Sequence, residues 1–281
     1  MTSSRFTELV GCRLPIQLAA MGSVGTTELA SAVVDAGGFG MVPMGVEPVD
    51  GACGANFLMP FEPPLELIGE TAGKCRVVEC FYVDPRADVV EAIRAGGALA
   101  GWQVGSAAEA RLAEESGCDY LVAQGTEAGG HVRGTQPLDE VLAATLEAVE
   151  IPVLAAGGVV TAERFAQLIG AGADAVRIGT RFLACPESGA HPAYVERVLA
   201  ADGGDTELTT WFGEGWEDAP HRVLSSAVEA ARDSGWRSVI PPAKGEEHDV
   251  ADMALYAGAG VGELTAVEPA ADVVADLVRL L

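Results

Sequence analysis

The sequence is poor in basic residues and in aromatic rings. Its 281 residues include 41 Asp and Glu against 17 Lys and Arg, which gives a formal net charge of -24 at pH 7, and aromatic residues make up 6%. Such an excess of negative charge repels the phosphates of nucleic acids and of anionic lipids. We therefore expect neither nucleic acid nor a membrane as a partner. The net charge does not bear on a small phosphate ligand, because backbone N–H groups can hold one inside an acidic protein.

Paired cysteines, a leader segment and long apolar runs are also missing. The six cysteines show neither a CxxC spacing nor a Cys/His pairing, so neither a zinc site nor a disulfide framework is indicated. No His/Asp/Glu cluster has the spacing of metal ligands. The N-terminal segment has no apolar run of signal-peptide length, and no window offers about 20 uninterrupted apolar residues. These absences predict a cytoplasmic protein with free thiols and no metal.

The residues that are present favour one large folded domain. Hydrophobic residues make up 49% of the chain and the mean hydropathy is +0.26, which is typical of a globular protein. We expect a single α/β domain over residues 1–281, in which the stretch from about 223 to 281 adds helices after the last strand.

Short apolar runs alternate with longer amphipathic stretches, as in parallel sheets covered by crossover helices. The runs predict eight strands, at 14–20, 39–44, 76–83, 98–104, 120–124, 152–156, 175–178 and 207–212. Eight β/α units in a chain of this length predict a (β/α)8 TIM barrel with extra C-terminal helices. A doubly wound open sheet is the alternative. Residues 47–64, rich in Gly and Pro, are expected to form a long loop.

The segment YLVAQGTEAGGHVRG combines the most chemically distinctive residues of the chain. Its apolar run enters a turn in which Gly129 and Gly130 allow close backbone approach, and His131 follows where a base is useful. The alternative is that the two glycines only turn the chain and that His131 is solvated. Glu127 either orients this turn or is an exposed acid.

Two further turns follow predicted strands and suit an anion. Gly157 and Gly158 come after one strand, and Gly179 and Thr180 come after the next. Backbone N–H groups at such turns can hold a phosphate. Barrel phosphate sites often use the loops after the seventh and eighth strands, whereas these turns follow the predicted sixth and seventh. This offset by one strand is either a miscount of the predicted strands or a real difference from other barrels.

Three residues near the N-terminus are candidates for contact with a flat ring. Met21 and Gly22 end the first predicted strand with a soft side chain and an open backbone. Asn56 is a polar residue among apolar neighbours. The alternatives are a core methionine and a turn-capping asparagine. The four tryptophans are interpreted as packing residues.

Most of the chain resembles the nitronate monooxygenase family, formerly called 2-nitropropane dioxygenases, which are FMN-dependent barrels. The resemblance is carried by PIQLAAMGSVGTTELASAVVDAGGFG, GANF, CDYLVAQGTEAGGHVRG, IPVLAAGGVVTAERFAQLIGAGADAVRIGTRFLA and YAGAGVGEL. It implies FMN as cofactor and His131 as the active-site base or substrate-orienting group. The candidate cofactor-binding residues are Met21, Gly22, Asn56, Gln124, Gly129, Gly157, Gly158, Arg177, Gly179 and Thr180.

The chain departs from the family pattern at three positions. Ala20 stands where members often have proline, Gln103 where they have lysine, and Arg177 where they have glutamine. Arg177 either supplies a charge to the phosphate or points away from it.

The resemblance implies oxidation of alkyl nitronates or nitroalkanes with O2 to carbonyl compounds and nitrite, without reduced nicotinamide. The alternative is an FMN-dependent enoyl-thioester (enoyl-acyl carrier protein) reductase that uses NAD(P)H and shares the AGGH, AAGG and GTRF motifs. A third interpretation is a barrel that binds FMN without turnover. The expected partners are a small-molecule substrate and O2, and a homo-oligomer is left open.

Overall fold

A ring of parallel strands forms the centre of the protein in a computed structural model, which describes residues 3–213, 215–216, 218–247 and 250–281. Its strands are β1 (Ile16–Leu18), β2 (Gly40–Pro43), β3 (Cys53–Leu58), β4 (Val77–Phe81), β5 (Leu99–Val104), β6 (Tyr120–Gln124), β7 (Gly130–His131), β8 (Val153–Ala156), β9 (Ala175–Ile178), β10 (Thr206–Thr209) and β11 (His221–Leu224). The large sheet has the order β1-β9-β8-β6-β5-β4-β3-β2, with every pair parallel.

The two ends of this sheet meet. A parallel bridge joins Gln17 to Phe39, and Leu18 N donates to Phe39 O at 2.9 Å. These bonds join β1 to the start of β2 and close the ring. The (β/α)8 TIM barrel predicted from the alternation of apolar runs is therefore confirmed, and the open sheet is not.

Helices surround the barrel and extend beyond it. They are α1 (Arg5–Val10), α2 (Thr27–Ala36), α3 (Leu65–Ala72), α4 (Ala87–Gly96), α5 (Ala107–Glu115), α6 (Leu138–Ala148), α7 (Ala162–Gly170), α8 (Thr180–Leu183), α9 (Pro192–Leu199), α10 (Ser225–Ser234) and α11 (Ala270–Leu277). Helix α11 packs against both α2 and α7, and its Val273 and Val274 are buried in the main core. It thereby fills the place in the helix ring that follows β9.

Local sequence explains where these helices begin and end. The side chains of Thr26, Ser106 and Thr161 accept hydrogen bonds from backbone N–H groups of the first turns of α2, α5 and α7, which satisfies donors that the helix leaves unpaired. Gly37 and Gly97 end α2 and α4 in the left-handed conformation, which glycine adopts without strain.

One strand prediction and one loop prediction were wrong, and the two errors offset each other in the count of barrel strands. The window 207–212 overlaps β10, which lies in a separate three-stranded antiparallel sheet of order β10-β11-β7. The window 47–64, expected to be a loop, contains the barrel strand β3. The turns at Gly157 and Gly179 thus follow the seventh and eighth barrel strands, so the offset by one strand was a miscount.

Strand β3 escaped detection because its residues are small. Its first residues are Cys53, Gly54 and Ala55, without the β-branched side chains that usually mark a strand. A Cβ added at Gly54 would lie 2.7 Å from Met41 Sδ and 2.8 Å from the backbone O of Val77. Close packing of β3 between β2 and β4 therefore requires glycine at this position.

Helix α1 packs against the interior of the barrel through Phe6 and Val10. The Phe6 ring lies 5.9 Å from that of Phe39 and 5.3 Å from that of Tyr120, both edge to face. These rings fill the barrel interior with apolar groups beside α1.

The small sheet ties a loop of the barrel to the C-terminal part of the chain. His221 in β11 pairs with His131 in β7, and Arg222 pairs with Gly130. A second apolar cluster, which includes Tyr194, Phe212 and residues of α10, packs beside this sheet. The position of His131 is thus set by main-chain pairing with a strand far away in sequence.

No helix in the described ranges combines the length and the apolar character needed to cross a bilayer.

The packing of β3 predicts that Gly54→Ala destabilises the fold. The added methyl group forces backbone or Met41 to move, and overpacking of this kind costs about 1–3 kcal/mol. Gly170→Ala is the matched control, because a Cβ at this helical position would meet nothing within 4 Å. Denaturant unfolding should show a lower midpoint for Gly54→Ala only. Equal midpoints for the two variants would contradict the placement of β3.

Candidate active site

A cavity of about 530 Å³ opens at the carboxyl ends of the barrel strands. This volume lies within the range of roughly 300–1,000 Å³ that is usual for small-molecule sites. The loops after β1, β6, β8 and β9 form its walls together with a C-terminal segment around Tyr256 to Gly260. Such loops build the active sites of TIM barrels.

Every site residue predicted from the sequence lines this cavity. They are Met21, Gly22, Asn56, Gln124, Gly129, His131, Gly157, Gly158, Arg177, Gly179 and Thr180. The structure therefore brings together residues from positions 21 to 180 of the chain. Their roles follow from their individual contacts.

Several of the glycines are required by the packing of the loops on one another. A Cβ at Gly129 would lie 2.7 Å from Gly258 N, and one at Gly260 would lie 2.3 Å from Gly158 O. Gly158 itself has a φ of +66°, in the left-handed region that favours glycine. The segment with the YAGAG sequence thus sits directly against the AGGH and AAGG turns.

Hydrogen bonds hold the same segment in place. Gly258 N donates to Thr180 Oγ1 at 3.0 Å, and Ala259 N donates to Glu127 O at 2.9 Å. Both carboxylate oxygens of Glu127 accept from Leu138 N, at 3.1 and 2.9 Å. Glu127 therefore orients its turn, which decides between the two interpretations left open by the sequence.

Gly179 has a different reason to be glycine. Its φ of -114° is open to any residue, and a Cβ there would come no closer than 3.4 Å to Ala19 Cβ and 3.9 Å to Met21 Sδ. Neither backbone strain nor a steric clash excludes a side chain. The absence of a side chain at Gly179 leaves free space along the cavity wall, and contact with a ligand requires such space.

His131 lies in an aromatic surround at the other wall. Its ring stacks on that of Trp216, with centroids 4.1 Å apart and an interplanar angle of 19°. Tyr82, Tyr256 and His221 contribute further rings at 5.2 to 6.0 Å. Tyr82 has a φ of +76°, a strained conformation for a non-glycine residue of the kind found at functional sites.

The imidazole of His131 is neutral and has a free nitrogen. Its Nε2 atom is buried and has no hydrogen-bond partner among the described residues. Burial, and then the neighbouring His221, lowers the pKa of His131 to about 3. Because buried polar atoms are nearly always hydrogen-bonded in proteins, this nitrogen at a cavity wall is suited to bind a ligand.

Neighbouring side chains fix the loop and the ring next to it. Gln124 Nε2 donates to the backbone O of His131 at 2.8 Å, so Gln124 anchors the histidine loop as well as lining the cavity. His221 Nε2 accepts from Phe212 N at 3.2 Å, which leaves Nδ1 to donate to Ala219 O at 3.0 Å. Burial lowers the pKa of His221, so the second imidazole is a neutral structural group.

The floor of the cavity is polar. Asn56, Gln103 and Arg177 line it from β3, β5 and β9. The Arg177 side chain lies inside the barrel, where Nε and Nη2 donate to Gln17 Oε1 at 2.9 and 2.7 Å and Nη1 donates to Gln103 Oε1 at 2.6 Å. Arg177 also forms an ion pair with Glu79.

A second polar layer lies beneath the floor. Glu79, Gln17 and Tyr120 are fully buried and do not line the cavity. Tyr120 OH donates to Glu79 Oε2 at 2.9 Å, and Asn56 Nδ2 donates to Glu79 Oε1 at 3.0 Å. The carboxylate therefore receives bonds from three strands other than its own.

Sequence reasoning missed five contributors to the site. Trp216 was assigned to packing, and nothing local to its loop indicates otherwise. Tyr256, Gly258 and Gly260 belong to the YAGAGVGEL stretch, which contributed to the family resemblance but was given no role in the site. Glu79 had a signal, since it is the one charged residue in the apolar strand VVECF.

Within the described ranges, no group of three His, Cys, Asp or Glu side chains is arranged to hold a metal ion.

The buried neutral His131 predicts a pH-dependent stability. The His131 imidazole takes up a proton near pH 6.5 in the unfolded state but only near pH 3 in the folded state. Its contribution to stability is therefore complete above pH 6.5 and is lost as the pH falls. His131→Phe keeps a ring against Trp216 but cannot titrate. Between pH 6.5 and 4 the free energy of unfolding should fall more steeply for the wild type, by up to about 1.4 kcal/mol per pH unit.

Equilibrium unfolding from pH 8 to pH 4 measures this difference. The values above pH 7 serve as the internal control, because there the two proteins differ only in packing. Parallel curves over the whole range would contradict the assignment of a buried, neutral imidazole.

Comparison with known proteins identifies relatives of this architecture. A family model for nitronate monooxygenase matches residues 65–279. A probable nitronate monooxygenase of Bacillus subtilis is 30% identical over 210 residues, which cover 68% of this chain and 60% of that protein. A (3aS,4S,5R,7aS)-5-hydroxy-7a-methyl-1-oxo-octahydro-1H-indene-4-carboxyl-CoA dehydrogenase of Mycobacterium tuberculosis is 31% identical over 250 residues, 83% of this chain and 69% of that protein. The aligned region thus spans 60% of the first of these relatives and 69% of the second.

Solved structures share the fold over nearly the whole chain. FabK from Thermotoga maritima superposes with a TM-score of 0.83 at 25% identity and covers 99% of this chain and 96% of its own. A nitroalkane oxidase from Streptomyces ansochromogenes superposes with a TM-score of 0.78 at 28% identity, covering 98% and 97%. With its barrel, its cavity and the family match over residues 65–279, the chain belongs to the nitronate monooxygenase family of flavin-dependent oxidoreductase enzymes.

Proposed function

We propose that this protein binds FMN in the cavity and oxidises alkyl nitronates with O2 to carbonyl compounds and nitrite. The observation that carries this proposal is the free, buried Nε2 of a neutral His131 at the wall of a cavity with a polar floor. We further propose that residues 1–281 act as one FMN-binding unit, since the cavity is lined by segments from Ala19 to Gly260.

The residues present fit FMN. The floor offers hydrogen-bonding groups of Asn56, Gln103 and Arg177 to a polar ring edge, and Met21 and the bare Gly179 leave room for a flat ring. Among the described lining residues Arg177 is the one Lys or Arg, and Glu79 neutralises it. A phosphate in this cavity is therefore held by neutral groups.

Those neutral groups lie in the turns after the seventh and eighth barrel strands. Gly157 and Gly158 offer backbone N–H groups, and the hydroxyl group of Thr180 keeps its proton to donate because its oxygen accepts from Gly258 N. Backbone and hydroxyl donors at this position are the usual way in which barrels bind phosphate.

The charge state of His131 favours nitronates over neutral nitroalkanes. Bound FMN supplies the electron acceptor. A nitroalkane must first lose its α-proton, and an imidazole with a pKa of about 3 is a weak base for that step. A nitronate has already lost this proton and needs only to be oriented. The free Nε2 can bind a nitronate oxygen directly as a hydrogen-bond donor.

Aromatic side chains line the space beside His131. Trp216 stacks on the imidazole, and the rings of Tyr82 and Phe61 lie 4.3 and 5.7 Å from the Trp216 ring. Electrostatic and hydrogen-bonding interactions with a bound anion are stronger beside such rings than in water.

A second candidate function is NAD(P)H-dependent reduction of an enoyl thioester. The superposition with FabK over 99% of the chain favours it. A barrel that binds FMN without turnover is the outcome if neither activity is found.

The proposal predicts that nitronate alone bleaches the visible absorption of FMN-reconstituted protein under anaerobic conditions, because no nicotinamide is required. His131→Ala should lower kcat/KM for an alkyl nitronate by about 10²-fold or more. His191→Ala is the control, since His191 caps α9 and does not line the cavity. Consumption of NADH with an enoyl thioester, without response to nitronate, would support the second candidate instead.

The open wall at residue 179 predicts a separate effect on cofactor binding. Gly179→Ala places a methyl group in the cavity and should weaken FMN binding at least tenfold, while the thermal unfolding midpoint stays within about 2 °C of the wild type because no clash arises. Gly170→Ala should leave both quantities unchanged. Titration of each apoprotein variant with FMN, monitored by fluorescence quenching, gives the FMN dissociation constants of Gly179→Ala and Gly170→Ala. Equal constants would contradict the placement of FMN along this wall.

A further inference from the structure

Glu79 lies at the centre of the barrel, one layer beneath the cavity floor, and does not itself line the cavity. Its carboxylate is fully buried. It reaches across the barrel axis, because its strand β4 and the Arg177 strand β9 lie on opposite sides of the ring. A buried carboxylate of this kind is costly unless it is paired and hydrogen-bonded.

The bonds that Glu79 accepts determine how the floor is oriented. A carboxylate can only accept hydrogen bonds, so the Asn56 atom that contacts it must be the Nδ2 donor. A guanidinium can only donate, so the Gln103 atom that contacts Arg177 must be the Oε1 acceptor. The orientation of both amide groups therefore follows from the Arg177–Glu79 ion pair.

These constraints leave a defined set of groups for the cavity. Within the described residues, neither Asn56 Oδ1 nor Gln103 Nε2 has a protein hydrogen-bond partner, and both residues line the cavity. The floor thus presents an acceptor from Asn56 and a donor from Gln103, and one N–H group of Arg177 Nη1 is left without a protein acceptor among the described residues. The net charge of the floor is zero, because Glu79 neutralises Arg177.

We propose that Glu79 is the positioning residue of the floor, which neutralises Arg177 and orients Asn56 so that the site binds the uncharged pyrimidine edge of oxidised FMN. This inference rests on the proposed function. The pyrimidine edge carries a carbonyl, an N–H group and a second carbonyl, which match the donor, acceptor and donor groups of the floor in kind. Reduced FMN at neutral pH carries a negative charge on this edge, and a neutral floor does not favour it.

Glu79→Gln should change both properties of the floor. The carbonyl of the new amide has to accept from Tyr120 and Arg177, so its NH2 group faces Asn56. Asn56 then turns its Oδ1 toward that group and presents Nδ2 to the cavity. The floor becomes rich in donors and carries an unneutralised cation, so binding should shift from oxidised toward reduced FMN.

Arg177→Gln should have the opposite effect. It leaves the carboxylate of Glu79 unneutralised beneath the floor, so reduced FMN is disfavoured. In the double variant Glu79→Gln/Arg177→Gln both charges are gone but Asn56 still presents Nδ2 to the cavity, so the preference should lie between those of the wild type and of Glu79→Gln. The double variant also guards against failure to fold, because exchange of a whole buried ion pair is tolerated far better than loss of one partner.

The midpoint potential of bound FMN measures this preference without any turnover. Anaerobic reductive titration against a reference dye should place Glu79→Gln at a more positive potential than the wild type and Arg177→Gln at a more negative one. A tenfold change in the ratio of the two FMN dissociation constants, which we expect as a minimum, corresponds to about 30 mV for a two-electron couple.

Asp174→Asn is the matched control. Asp174 pairs with Arg5 and accepts from Val153 N just before β9, and it does not line the cavity. The midpoint potential of FMN bound to Asp174→Asn should equal that of the wild type, although this variant is less stable. Thermal unfolding of each variant shows which are folded at the temperature of the titration.

The outcomes separate this inference from the proposed function. Opposite shifts for the two single variants, or a positive shift of the double variant where only it folds, support the role of Glu79. The proposal is overturned if the two single variants shift with the same sign or by less than threefold, or if the double variant shifts to a more negative potential. If wild-type protein does not bind FMN, the proposed function fails and this inference fails with it.

Discussion

A guanidinium enclosed in the barrel is the constraint on which the rest of the site depends. Arg177 exposes 7% of its surface, and a charge so deeply buried is destabilising by several kcal/mol, as an order of magnitude, unless it is paired and hydrogen-bonded. Glu79 supplies the opposite charge, and Gln17 and Gln103 supply acceptors. Because these side chains come from four strands, their pairing also fixes how opposite sides of the barrel face each other.

The barrel interior consequently changes character along its axis. Near α1 it is apolar and closely packed, with the rings of Phe6 and Phe39 in contact. The middle layer is polar and its charges are balanced. Beyond it lies the cavity, where His131 keeps a nitrogen without a partner. The polar groups of the middle layer are thus paired with one another, whereas His131 in the cavity wall keeps an unpaired nitrogen.

The sequence allowed the barrel and the cavity loops to be predicted because both depend on local patterns. Alternating apolar runs and helix ends follow from the nearest few residues, and so do glycine turns such as Gly157–Gly158 and Gly179–Thr180. Strand β3 was missed since close packing selects small residues there, which do not look like a strand. The pairing of Glu79 with Arg177 joins positions 98 residues apart, and no local pattern contains that information. Trp216 reaches His131 only through the tertiary arrangement of its loop.

Closure of the ring has a consequence for the order of folding. Strand β1 pairs with β9, and α11 fills the gap between α2 and α7. Elements near residue 20 can therefore complete their contacts only with elements beyond residue 170. Contacts of such long sequence separation form late, because the entropy of joining the ends of the chain must be overcome first. During synthesis, the growing chain therefore exposes an unpaired edge at β1 until β9 emerges, and this interval is where assistance by a chaperone would matter most.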